Sequence, residues 1–238
     1  MEEPENANVT YTGKSIAKNT IYNLLGYGIP LIFALVIIPP LIRGLGTERF
    51  GILNLAWVII GYFSFFDFGI GRALTKIIAE KIGLNQTKEI PGIFWTSFFL
   101  MFFISLFFTV IIVLLAPDLV HNLFKISLGL QTETLRTFYI LALSIPIVTT
   151  TAGIRGFLEA YQKFGIINVI RIFLGVFMFL GPLLCLIFTN SLFWIVCFLI
   201  LIRIVVWILY LLECFKLNIK IKNGPTLTVR CSGWFKIG

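Results

Sequence analysis

The chain has 238 residues, of which 58% are hydrophobic and 13% charged, with 25 Phe and a formal charge of +8. A soluble domain is about 45–50% apolar and about 25% charged, and here the apolar residues come in long blocks. That excludes a water-soluble enzyme, a disulfide scaffold and a disordered tail, and leaves an all-α, polytopic transmembrane helical bundle.

At about 20 apolar residues per crossing, the length holds roughly six spans. The N-terminus is acidic (Glu2, Glu3, Glu5) and leads into an apolar stretch with no small-residue cleavage site. That argues for a retained first helix rather than a signal peptide. Residues 1–14 read as a tail, 15–216 as a six-helix lobe and 217–238 as a polar segment beyond it. The spans fall at 16–42, 50–71, 92–116, 134–156, 165–189 and 191–216. The turn at 189–191 is so short that the last two spans form an antiparallel hairpin.

The first span carries Pro30, Pro39 and Pro40. Proline removes a backbone hydrogen bond and kinks a helix. In lipid this is tolerated where neighbouring helices or a wet cavity satisfy the freed carbonyl. The first span is therefore predicted to bend, and its three prolines are candidate gating or structural positions. The fourth and fifth spans contain Pro146 and Pro182.

Past the second span, Arg72, Lys76 and Glu80 form a stripe at four-residue spacing, with Leu74, Ile77, Ile78 and Ile82 on the other face. This predicts that the second helix continues beyond the membrane as an amphipathic extension near the headgroups. A simple solvated face is the alternative.

The distribution of charge sets the orientation. With the N-terminus in the cytoplasm, fourteen Lys and Arg fall on that side and four on the other, with Arg203 left within the last span. That is the asymmetry expected of a membrane protein. It puts both termini in the cytoplasm and accounts for the basicity without a nucleic-acid partner.

A few charges remain to be explained. Arg203 lies 12 residues into the last span, between Leu201, Ile202, Ile204 and Val205. An ionisable group at that depth costs about 2.5–3.5 kcal/mol on insertion scales. It either binds an anionic substrate in a central cavity or bonds a partner or the carbonyls of a broken helix. The scarcity of acids at that depth favours the cavity. Arg72, Arg155 and Arg171 form a candidate basic vestibule, because the planar guanidinium fork suits phosphate. Ordinary cytoplasmic-side charge is the alternative for each. Asp67 is a local partner or cap, or a gate. Glu159 stands four residues before Lys163, in the favourable order for an ion pair on a helix. Cys185, Cys197, Cys214 and Cys231 are too far apart for a CxxC pair, and His121 has no evident partner. No metal site, cofactor motif or catalytic set is expected, and so no enzyme.

Four runs then carry a resemblance. They are TGKSIAKNT at 12–20, PPLIRGLGTERFG at 39–51, FFDFGIGRA at 65–73, and SIP at 144–146 followed by RGFLEA at 155–160. Together they resemble the polysaccharide-transporter (Wzx-type) oligosaccharide flippases of the MOP superfamily. The resemblance implies one lobe of a MATE-like two-lobe transporter in the bacterial cytoplasmic membrane. It implies a polyprenyl-diphosphate-linked oligosaccharide as substrate and export for surface polysaccharide such as O-antigen. Membrane lipids, a second lobe and polysaccharide polymerase machinery are the implied partners. The family has about twice as many helices, so the chain is expected to be its N-terminal lobe, truncated or split. A MATE-like exporter of small cations and a non-transporting scaffold are the rival readings.

Overall fold

The computed structural model describes residues 13–63, 69–124 and 126–223, with side chains described for 24–63, 69–124 and 126–217. Asp67 lies outside the described residues. Seven α-helices follow one another: α1 (Gly13–Phe63), α2 (Ile70–Gly83), α3 (Ile90–Asp118), α4 (Leu128–Leu143), α5 (Ile145–Ala160), α6 (Phe164–Leu186) and α7 (Leu192–Asn223). No strand occurs among the described residues.

Among the described residues five helical stretches are long and apolar enough to cross a membrane: Leu24–Phe63, Thr87–Leu123, Leu128–Ala160, Phe164–Leu186 and Leu192–Leu217. The first is two helices in one. Gly46, at φ 78° and ψ 163°, breaks α1 into two arms, a conformation that glycine adopts without a Cβ penalty. Divided there, the described residues give the six apolar stretches expected. The break at Gly46 falls in the 43–49 stretch expected between the first two spans. Pro30, Pro39 and Pro40 all stay within the helix.

The first arm of α1 seats on α6 through small residues. A Cβ on Gly175 would come within 2.7 Å of two atoms of the Pro30 ring, one on Gly26 within 2.7 Å of Asn168 Oδ1, and one on Gly44 within 2.8 Å of Leu186. Close approach through small residues is how helices associate in lipid, where the hydrophobic effect gives no drive between them. Pro30 is thus a packing element against α6, whereas Pro39 and Pro40 are exposed.

One expectation for the following helices is corrected. The amphipathic segment does not extend the second span. Gly69 takes φ 76°, and α2 starts after it as a helix of its own. A right-handed helix cannot pass through a left-handed residue. α2 docks on α5, where Thr75 Oγ1 is 3.0 Å from the carbonyl of Gly156 and 3.0 Å from that of Gly71. Leu74 and Ile78 are buried there, while Ile77 stays exposed. The fourth expected span is a single membrane-length stretch, broken beside Pro146 into α4 and α5, which meet at Ser144. Pro146 has no N–H for the carbonyl of Ala142. The Thr109 hydroxyl of α3 lies 3.2 Å from that carbonyl and 2.9 Å from the Ser105 carbonyl of its own helix, and shares its proton between them.

The buried side chains form two cores, one toward each end of the bundle. The first gathers Leu53, Ile60, Leu141, Ile145 and Val196. The second gathers Leu74, Ile78, Phe157, Leu158 and Tyr210. The level between them holds the polar groups described next.

Candidate functional site

A cavity of about 310 Å³ opens between the second arm of α1, α5, α6 and α7, with Gly61, Thr151, Arg155, Met178 and Arg203 in its wall. Its position follows from the fold. Gly61 and Ala152 are too small to fill the level between the two cores, and the α4–α5 break lies one turn away.

Arg203 reaches this cavity from α7. Its one polar contact among the described residues is Nη2 to the Met178 sulfur, at 3.6 Å. A thioether is a weak acceptor, and no described carboxylate lies within ion-pair distance. Pro182 supplies no N–H to the carbonyl of Met178, so this stretch of α6 is itself short of donors. The guanidinium does not reach a backbone carbonyl, however. Arg203 thus lines the cavity with no described ionic or carbonyl partner.

Arg155 enters the same cavity from α5. Its Nε is 3.3 Å from Glu159 Oε1, and both side chains are partly exposed. Glu159 was expected to pair with Lys163, and the structure corrects this. α5 ends at Ala160 and Gln162 turns left-handed at φ 56°. Lys163 therefore caps α6 and is not one turn further along the helix of Glu159.

The other candidates lie elsewhere. Arg171 sits 4.7 Å over the Tyr27 ring and donates from Nη1 to Asn168 Oδ1 at 3.2 Å. It helps hold α1 on α6. Arg72 is exposed on α2. The structure thus brings Arg155 and Arg203 together and leaves Arg72 and Arg171 off the cavity wall. None of the three prolines lines it.

Two hydrogen bonds fix α7 around the site. Trp207 Nε1 donates to Thr150 Oγ1 at 3.0 Å. The Tyr210 hydroxyl donates to the carbonyl of Ile167 at 3.3 Å. Tyr210 also feels the charges of Arg155, Arg171 and Glu159, which share this end of the bundle.

At the other end sits a cluster that sequence reasoning missed. Glu133 of α4 accepts from Ser191 Oγ at 2.8 Å and from the backbone N–H of Leu192 at 2.5 Å. Its second oxygen is 3.5 Å from Arg49 Nη2. A carboxylate at the start of α7 suits the positive end of that helix. Glu48 adds a bond from the Ser127 N–H at 3.2 Å. The available signal was the set of charges remaining at this end once the spans are drawn, Glu48, Arg49 and Glu133 among them.

Comparison with known proteins gives the chain a family. The family described as "Polysaccharide biosynthesis protein" matches residues 16–230. A presumed O-antigen transporter of Shigella flexneri is 34% identical over 155 residues, which are 65% of this chain and 36% of that relative. The chain therefore spans well under two thirds of the relative's length. No solved structure matches it significantly. The family match runs through all seven helices and both cavity arginines, and on that evidence the chain belongs to the polysaccharide biosynthesis protein family.

Proposed function

We propose that this bundle is one lobe of a transporter that moves polyprenyl-diphosphate-linked oligosaccharide units across a bacterial cytoplasmic membrane for surface polysaccharide synthesis. The observation that carries this reading is Arg203, a cation without an ionic partner among the described residues, held in a cavity in a transmembrane helix. Intramembrane charges of this kind mark substrate pathways. Arg203 and Arg155 attract the diphosphate, the glycan occupies the aqueous interior and the polyprenyl tail stays in lipid. A volume of about 310 Å³ is at the lower end of the roughly 300–1,000 Å³ of small-ligand sites. It admits a diphosphate group but not a whole repeat unit. A second lobe therefore completes the wall, and rocking of one lobe on the other alternates access. The N-terminus is cytoplasmic in this reading. The work is conformational, with no bond made or broken in the substrate, so the lobe is not an enzyme.

A cation exporter is the rival, and the cavity wall argues against it. Among the described residues its charged members are two arginines, and no described acid lines it. The test uses the full chain in lipid nanodiscs, with farnesyl diphosphate and tetraphenylphosphonium as probes. Saturable binding of the diphosphate alone is expected. Binding of the organic cation alone would overturn the assignment. Complementation of a flippase-null strain, by this chain with a separately expressed second lobe, tests transport. Normal insertion without export would instead support the scaffold reading.

A further inference from the structure

The two cavity arginines are not equivalent. Arg203 has only a sulfur beside it, at 3.6 Å. Arg155 has a carboxylate, Glu159, at 3.3 Å from its Nε. That carboxylate touches one edge of the guanidinium and leaves both Nη groups without a partner among the described residues. Glu159 itself is outside the cavity wall, while Arg155 is part of it.

We propose that Glu159 is an internal competitor for Arg155, holding it when the cavity is empty and reclaiming it when a bound diphosphate leaves. This rests on the transport reading above. Three observations support it. The pair is half exposed, and such pairs are weak enough to be exchanged. Among the described residues no other cation forms an ion pair with Glu159. Lys163 is carried away by the left-handed turn at Gln162, and Arg171 is committed to Asn168 and Tyr27. Finally, α5 carries Arg155 and Glu159 one turn apart, so release and recapture need a side-chain rotation and no helix movement.

The physical consequence concerns release. A transporter that held a multiply charged headgroup with two free guanidinium groups would discharge it slowly. A carboxylate within reach of one of them lowers affinity and hastens departure. Glu159 is thus a positioning residue acting through Arg155, and does not touch the substrate.

The test measures farnesyl diphosphate binding and dissociation for the full chain in nanodiscs, with farnesol and inorganic pyrophosphate as further probes. Glu159→Gln should tighten diphosphate binding about threefold, the scale of an exposed ion pair, mostly by slowing dissociation. The gain should vanish in an Arg155→Ala background and be absent with farnesol. Pyrophosphate should show the same gain at lower affinity, since the headgroup carries the effect. Glu159→Ala repeats the measurement without an amide. Unchanged or weaker binding in both variants, with melting temperature preserved, would overturn the competitor role alone. An equal gain in the Arg155→Ala background would do the same. No diphosphate binding by the unaltered chain would overturn the transport reading and this inference together.

Discussion

The two ends of the bundle treat charge in opposite ways. At the Glu133 end, a carboxylate takes up the Arg49 guanidinium, the Ser191 hydroxyl and the first N–H of α7. Three segments distant in sequence are tied by one side chain. In the cavity toward the Arg155 end, one arginine has a sulfur for a partner and the other a single-edged contact to Glu159. Charges that build the fold are consumed by it. Charges that the fold leaves unsatisfied are available to a ligand, and their desolvation is a standing cost that a purely structural protein would not carry.

The contrast breaks most sharply on opposite substitutions. Arg203→Met should cost about 2 kcal/mol of diphosphate binding, roughly thirtyfold, as for losing a hydrogen-bonded charge. It should leave stability equal or raised, because a methionine at that depth has no desolvation cost. Titration and thermal melting of the same nanodisc sample check both halves. A variant that binds normally but unfolds earlier would make Arg203 a structural residue. Glu133→Ala should do the reverse. It leaves Arg49 and the start of α7 without their acceptor and should lose about 2 kcal/mol of stability, read as a lower melting temperature, with binding intact in the protein that remains folded. If its loss of affinity matched that of Arg203→Met, the division of labour between the ends would fail.

Much of this was legible in the sequence, for identifiable reasons. The spans follow from apolar blocks that have no soluble alternative. Arg203 stood out because a mid-span charge has few places to go. Arg155 was a candidate too, but grouped with Arg72 and Arg171; its pairing with Arg203 was not legible, since 48 residues separate the two and only the crossing of α5 with α7 makes them neighbours. The split between the second span and α2 had its signal in Gly69, which the length of the apolar run concealed. The end of α5 had none. Gln162 takes a left-handed φ that glycine or asparagine would have advertised, so the spacing from Glu159 to Lys163 suggested a pair across a helix that has already stopped. Glu133 was hidden because its partners come from two other segments.

A third polar group at mid-depth sharpens the comparison further. Thr109, like Arg203, is a polar side chain placed in an apolar helix, and it is fully committed. Its hydroxyl is shared between the Ser105 carbonyl at 2.9 Å and the carbonyl that Pro146 leaves at Ala142, 3.2 Å away, and it is buried. If commitment to the fold, and not depth alone, separates structural from ligand-binding groups, Thr109→Val should behave like a small version of Glu133→Ala. Valine keeps the shape and removes the donor that α3 shares with the junction of α4 and α5. Interhelical hydrogen bonds in membranes are worth about 0.6 kcal/mol on average and up to about 1.7, so a stability loss near 1 kcal/mol is expected, with diphosphate affinity unchanged. A change in affinity with no change in stability would mean that the α4–α5 junction shapes the cavity directly, and the line between the two classes of polar residue would have to be redrawn through that junction.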